Sequence, residues 1–159
     1  SVSLTGGEPL LQAEALVVLL PRLKALGMPV YLETNGTLGE EVGSLLPWLD
    51  FIAMDVKLPS FTQGFDLGEA HRGFLRAARG ANIFLKMVVD KDTSPEEVAA
   101  ACQQLGEEAA QLTLVLQPAW SEGGVALTPR RARDLALAAA PLFAAVRVLP
   151  QAHKAWGIR

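Results

Sequence analysis

Apolar residues in this chain fall into short dense runs, separated by longer segments in which they recur every three or four positions. The dense runs are Ser1–Thr5, Pro29–Glu33, Phe51–Val56, Asn82–Val89, Leu112–Leu116 and Ala145–Leu149. Their length and their β-branched or leucine-rich content predict buried strands. The periodic segments Leu11–Leu26, Gly68–Arg79, Ser94–Leu105 and Thr128–Ala140, with a shorter one at Glu40–Leu46, predict helices. In the first of these, Leu10, Leu11, Leu16, Leu19, Leu20 and Leu23 mark the expected apolar stripe. Punctuation agrees with these limits. Gly27 and Gly80 stand where helices end, and Asn35-Gly36 is a turn pair. Thr93-Ser94-Pro95-Glu96-Glu97 and Thr128-Pro129 place a capping hydroxyl and a proline at helix starts. The alanine-rich stretch Ala132–Ala145 reads as a helix packed closely on a neighbour, not as low complexity. No linker or repeat breaks the rhythm, so residues 1–159 read as a single domain.

Strands alternating with helices argue for a parallel sheet with right-handed crossovers, either doubly wound or closed as a barrel. Both architectures bind ligands at the carboxyl ends of the strands. The polar clusters of the chain fall there. Gly6-Gly7-Glu8 follows the first strand, Glu33-Thr34-Asn35-Gly36-Thr37 the second and Asp55-Val56-Lys57 the third. Lys86 lies in the fourth strand, Gln117-Pro118 ends the fifth, and the last runs into Gln151-Ala152-His153-Lys154. A glycine pair after a strand lets backbone approach a ligand closely, and Glu8 is the one charged group at that turn, suited to an amino group.

Composition narrows the class. With 159 residues, 50% of them hydrophobic and 19% charged, the chain can bury a core without disulfides or metals. A net charge of -3 and a pI near 5.4 leave no basic footprint for nucleic acid. The apolar runs are too short to span a bilayer and no signal peptide is visible, so no membrane partner is expected and the default compartment is cytoplasmic. The single cysteine, Cys102, excludes an internal disulfide and reads, among Ala99, Ala100 and Ala101, as an inert buried thiol.

The ordered series TGGEP (5–9), LETNGT (32–37), MDVK (54–57) and LPQAHKAWGIR (149–159) resembles the radical S-adenosylmethionine enzymes, and within them the 7-carboxy-7-deazaguanine synthases of queuosine biosynthesis. It is also similar to the organic-radical-activating enzymes that install glycyl radicals, which share the first three motifs. The resemblance covers nearly the whole chain and implies an α/β fold, a partial (β/α) TIM-type barrel of parallel strands. It implies that Gly6, Gly7 and Glu8 hold the amino group of the methionine moiety, and that Glu33 and Asn35 lie near the ribose hydroxyls or the methionyl end. Asp55 and Lys57 match the D-x-K whose lysine meets the cofactor carboxylate. A carboxylated tetrahydropterin, anionic and planar, is the implied substrate, with Lys86, Gln117, His153, Lys154 and Arg159 as its candidate contacts. Thr37 is the candidate magnesium ligand.

The implied reaction is one-electron reduction of the cofactor to a 5′-deoxyadenosyl radical, hydrogen abstraction and ring contraction with loss of ammonia, a carbon–nitrogen lyase chemistry. The implied cofactors are S-adenosylmethionine, a [4Fe-4S] cluster and Mg²⁺, with an electron donor of flavodoxin or ferredoxin type; a homodimer stays open. The sequence departs from the family in one respect. The cluster needs three cysteines, usually as CxxxCxxC ahead of the GGE strand, and this chain has none there. Because the chain opens on Ser1 and not on Met, the first strand and the cluster loop are expected upstream, and the chain alone is expected to be inactive. Two rival readings are a glycyl-radical-enzyme activating enzyme and a degenerate barrel that binds a nucleotide-like ligand or nothing.

Each candidate also has a plainer reading. Glu33 would cap the loop at Asn35-Gly36, Asp55 with Lys57 would be a strand-end ion pair, and His153 with Lys154 a solvated tail. His71 reads as an exposed helix residue, and Glu40-Glu41, Glu96-Glu97 and Glu107-Glu108 as solvated helix faces. Trp48, Trp120 and Trp156 read as packing groups, with Trp120 and Trp156 placed to wall a planar ligand.

Overall fold

A computed structural model describes residues 1–121, 124–125 and 127–151. Its elements run β1 (Val2–Leu4), α1 (Ala13–Ala25), β2 (Val30–Thr34), α2 (Gly39–Gly43), β3 (Phe51–Asp55), α3 (Gly68–Ala77) and β4 (Ile83–Val89). They continue as α4 (Pro95–Gln104), β5 (Thr113–Pro118), β6 (Trp120–Ser121), β7 (Gly124–Val125), α5 (Pro129–Ala139) and β8 (Ala145–Val148). Each strand and helix expected from the apolar pattern is present, with ends that coincide or move by at most three residues. The start of α1 moves because Pro9–Gln12 forms a separate 3-10 turn, which leaves Leu11 76% exposed and outside the stripe of Leu16 and Leu20. The two-residue strands β6 and β7 form an antiparallel hairpin that no periodicity foreshadowed, because two residues are too few to show one.

Six strands make one parallel sheet in the order β1-β2-β3-β4-β5-β8. Each strand is laid beside its predecessor, so the order never reverses and the sheet lacks the switch point of a doubly wound fold. Strand alternation separates two faces. In β2, Val30, Leu32 and Thr34 are buried while Tyr31 and Glu33 are half-exposed. The buried face meets the helices in one core: Leu32, Met54, Leu85 and Leu114 from strands join Leu20 of α1, Val42 of α2, Phe74 of α3, Val98 of α4 and Leu135 of α5. The other face carries Tyr31, Glu33, Asp55, Phe84 and Lys86, and Phe51 on it stays 47% exposed. Tyr31 and Phe84 lie near each other there, ring centroids 6.4 Å apart.

Local chemistry explains the boundaries. Ser94 Oγ accepts from the Glu97 amide at 3.0 Å and Thr128 Oγ1 from the Arg131 amide at 3.3 Å, so the expected hydroxyls cap α4 and α5. Asp50 accepts from Lys24 Nζ at 2.8 Å and from the Val30 amide at 2.7 Å, fastening the end of α1 to the start of β2. Among the described residues no helix is long and apolar enough to cross a membrane.

Candidate functional site

The carboxyl ends of β1 to β4 bound a cavity of about 260 Å³. Thr5, Gly6 and Gly7 form one side of it, Glu33, Thr34 and Asn35 a second, and Ala53, Asp55, Lys57 and Lys86 the rest. Strand register brings these groups together. Glu33 stands beside Ala53, and Asp55 beside Lys86, all on the face away from the helices. Lys86 Nζ lies 3.6 Å from Glu33 Oε2, and Lys57 Nζ lies 2.6 Å from Asp55 Oδ2. Asp55 Oδ1 is buried and has no hydrogen-bond partner among the described residues, so this carboxylate keeps unspent acceptor capacity.

Glu8 sits behind the cavity and is held by protein donors. Its Oε1 accepts from the Leu10 amide at 3.1 Å and from Thr34 Oγ1 at 2.9 Å, and its Oε2 accepts from the Asn35 amide at 2.7 Å. One carboxylate thereby starts the 3-10 turn after β1 and ties it to the loop after β2. Each carboxylate oxygen can accept about two hydrogen bonds, so Oε2 retains room for one more donor. Gly6 and Gly7 have φ of 91° and 58°, and a Cβ on either would meet nothing within 4 Å. Glycine is needed there for its left-handed backbone, and the space in front of the turn is free to admit a ligand.

The loop after β2 is braced from several directions. Asn35 Oδ1 accepts from the Thr37 amide at 3.0 Å and from Thr37 Oγ1 at 2.6 Å, and Thr34 Oγ1 accepts from the Gly36 amide at 3.2 Å. Gly36 has φ of 68°, and a Cβ there would lie 2.6 Å from Met54 Cγ, so this position requires glycine for both conformation and space. His71 of α3 completes the loop's support, its Nε2 3.1 Å from the Asn35 carbonyl oxygen. The expectation of an exposed His71 is corrected: it is 2% exposed, because it shares a helical stripe with buried Phe74, Leu75 and Ala78. Burial pushes its pKa below the usual histidine value, against the opposing pull of the Asn35 carbonyl and the charges of Asp55 and Asp66.

Of the residues singled out from sequence, Gly6, Gly7, Glu33, Asn35, Asp55, Lys57 and Lys86 line one cavity, with Glu8 directly behind it. Thr37 does not join them; its hydroxyl is bonded to Asn35 and it lines a separate recess with Gly39, Glu40 and Phe74. Gln117 lies on β5 opposite Val88, beyond the cavity wall. His153, Lys154, Arg159 and Trp156 lie outside the described residues. Among the plainer readings, the Asp55–Lys57 ion pair is present, whereas the turn at Asn35-Gly36 is closed by the Asn35 side chain and not by Glu33. From sequence, Thr34 reads only as part of a polar cluster and His71 as exposed, and neither stands out as a site residue. The signal for His71 was available in its spacing of three and four from Phe74 and Leu75.

Cys102 is buried and its thiol is pushed up to about 12 by desolvation. It borders a second cavity, about 360 Å³, with Phe143 and Leu142, where α4 ends and β8 is about to begin. That is the end of the sheet opposite the glycine turn. Among the described residues no group of three or more His, Cys, Asp or Glu side chains is placed to hold a metal ion.

No protein-family model matches the chain. Its fold is shared by a solved domain of pyruvate-formate lyase-activating enzyme from Bacteroides vulgatus, with a TM-score of 0.68 and 15% identity over 94% of this chain and 97% of that one. The fold is therefore an α/β domain with a six-stranded parallel sheet, similar to that of the solved domain. A 7-carboxy-7-deazaguanine synthase from Geobacter sulfurreducens is 37% identical over 99% of this chain and 63% of its own length. Another, from Archaeoglobus fulgidus, is 30% identical over 100% of this chain and 67% of its own. The chain belongs to the 7-carboxy-7-deazaguanine synthase family, and it spans roughly two thirds of the length of these relatives.

Proposed function

We propose that this chain is the cofactor- and substrate-binding part of a radical S-adenosylmethionine enzyme that converts 6-carboxytetrahydropterin to 7-carboxy-7-deazaguanine, a carbon–nitrogen lyase of queuosine biosynthesis. The sequential parallel sheet, helices on one face and charged residues on the other, supports a partial (β/α) barrel whose lumen is that charged face. The observation that carries the reading is the convergence of the glycine turn, Glu33, the Asp55–Lys57 pair and Lys86 on one cavity, in a chain of this family.

The residues fit S-adenosylmethionine. The carbonyls of the Gly6-Gly7 turn and the remaining lone pair of Glu8 Oε2 would accept from its ammonium group, and Lys57 would pair with its carboxylate. Glu33 and Asn35 would stand near its ribose. When bound and reduced by one electron, that cofactor supplies the radical that takes hydrogen from the substrate. Lys86, with Gln117 farther along the rim, would orient an anionic substrate, and His153, Lys154 and Arg159 are proposed as further contacts. The chain does not fit a [4Fe-4S] cluster, since its sole cysteine is buried at the far end of the sheet; cluster ligands would come from outside this sequence. For magnesium the proposed ligand is the Thr37 hydroxyl, which here is bonded to Asn35 Oδ1. A flavodoxin- or ferredoxin-type donor, a cytoplasmic setting and a homodimer complete the reading.

The test is anaerobic assay of the full-length protein, reconstituted with iron and sulfide, for 5′-deoxyadenosine and 7-carboxy-7-deazaguanine. The expected result is product that depends on the carboxypterin. Cofactor cleavage indifferent to the pterin would overturn the assignment in favour of a glycyl-radical-enzyme activating enzyme.

A further inference from the structure

We propose that His71 is a positioning residue for the cofactor-facing loop, holding the Asn35 peptide in its binding orientation through a hydrogen bond from Nε2–H to the Asn35 carbonyl. β2 ends at Thr34, so the Asn35 peptide has left the sheet and lacks ladder partners. It is gripped by side chains from two other elements. Glu8 takes its amide at 2.7 Å, and His71, 36 residues along the chain, takes its carbonyl at 3.1 Å. The two anchors pull on opposite sides of one residue that lines the cavity. A carbonyl can only accept, so the bond fixes the tautomer with hydrogen on Nε2 and leaves Nδ1 as an acceptor.

Packing alone does not call for histidine at this position. His71 stands 2% exposed on a stripe otherwise filled by Phe74, Leu75 and Ala78, where an apolar side chain would satisfy the core. The groups that act on the ring from neighbouring elements are the Asn35 carbonyl, Asp55 and Lys57 from the end of β3, and Asp66 ahead of α3. Desolvation outweighs the Asn35 carbonyl and the two carboxylates and holds the pKa of the ring below the usual histidine value, so the neutral ring donates from Nε2 at physiological pH.

The proposal rests on the reading that the Asn35 loop faces S-adenosylmethionine, and its test separates the two. Glutamine places an amide NH₂ near the position of Nε2, whereas asparagine reaches only the position of Nδ1. The full-length protein and its His71→Gln, His71→Asn and His71→Ala variants are compared in two measurements. One is amide hydrogen exchange at Asn35 and Gly36 without ligand; the other is calorimetric titration with S-adenosylmethionine. Expected are exchange rates and affinity within about threefold of wild type for His71→Gln, and losses of about tenfold or more for His71→Asn and His71→Ala, with His71→Gln and His71→Asn melting together. Equal exchange and equal affinity in His71→Gln and His71→Asn would overturn the positioning role. Wild-type protein that shows the exchange difference yet binds no S-adenosylmethionine would overturn the functional reading instead.

Discussion

Replacing Glu8 by glutamine keeps the side chain's size and changes one oxygen to an NH₂. The native carboxylate serves the Leu10 amide, Thr34 Oγ1 and the Asn35 amide. In one orientation the amide oxygen keeps the first two partners, and the new NH₂ faces the Asn35 amide, donor against donor at a site now spaced 2.7 Å. A hydrogen bond to a charged group contributes about 1.5–3 kcal/mol, and a half-buried amide left unpaired costs toward the lower end of a further 1–3, so Glu8→Gln should lower stability by about 2–4 kcal/mol. The opposite orientation sets the NH₂ against the Leu10 amide and reverses the bond to Thr34 Oγ1, so it too leaves one amide unpaired. Urea unfolding followed by far-UV circular dichroism measures this directly: the midpoint should fall while the slope m stays unchanged, because the native surface is the same. The same substitution should weaken S-adenosylmethionine binding by full-length protein, since the loop that lines the cavity is no longer tied to the glycine turn. A stability loss below about 0.5 kcal/mol would refute the reasoning, because it would place the carboxylate outside the structural framework altogether.

Three further outcomes are expected. Gly36→Ala adds a Cβ 2.6 Å from Met54 Cγ at a φ of 68°, and should destabilise the protein by about 2–4 kcal/mol in the same urea assay. His71 has its pKa lowered in the folded state, so below about pH 6.5 the unfolded chain binds a proton that the native ring refuses; stability should therefore drop as pH falls from 7 toward 5, and this part of the slope should vanish in His71→Gln. Cys102, buried with its thiol pushed up to about 12, should resist a disulfide-exchange reagent at pH 8 in folded protein and react promptly once denaturant is added.

The sheet and its helices were readable because each strand buries an alternate set of residues and each helix a stripe, and both periods stand in the sequence, as Val30, Leu32 and Thr34 show. The strand order was not readable in the same way. Apolar runs fix which segments are strands, while a sequential order against a reversed one depends on where each crossover helix packs. Site residues at strand ends were legible by the same logic, since parallel strands must deliver Glu33, Asp55 and Lys86 to the same rim. The role of Glu8 was not, because a carboxylate after a glycine pair gives no sign of the 26-residue reach to Thr34 that occupies its first oxygen. His71 was misread for a related reason. A histidine beside Arg72 and Glu69 takes on the character of its polar neighbours in a linear reading, although its angular position on α3 belongs with Phe74. Thr37 stands outside the cavity because adjacency to Asn35-Gly36 does not survive the turn: past Gly36, at its positive φ, the hydroxyl folds back on Asn35.

β1 is only three residues long and pairs with β2 alone among the described residues. Three residues of pairing hold Gly6, Gly7 and the Glu8 tether beside β2, whereas Lys57 follows and Lys86 lies in strands paired on both sides, so the two halves of the cavity are joined through this short β1–β2 ladder. A molecule gripping both halves would act as a staple across that seam. Occupancy would then strengthen the β1–β2 ladder, and the tightness of the ligand would be set as much by how firmly those three residues pair as by the contacts it makes.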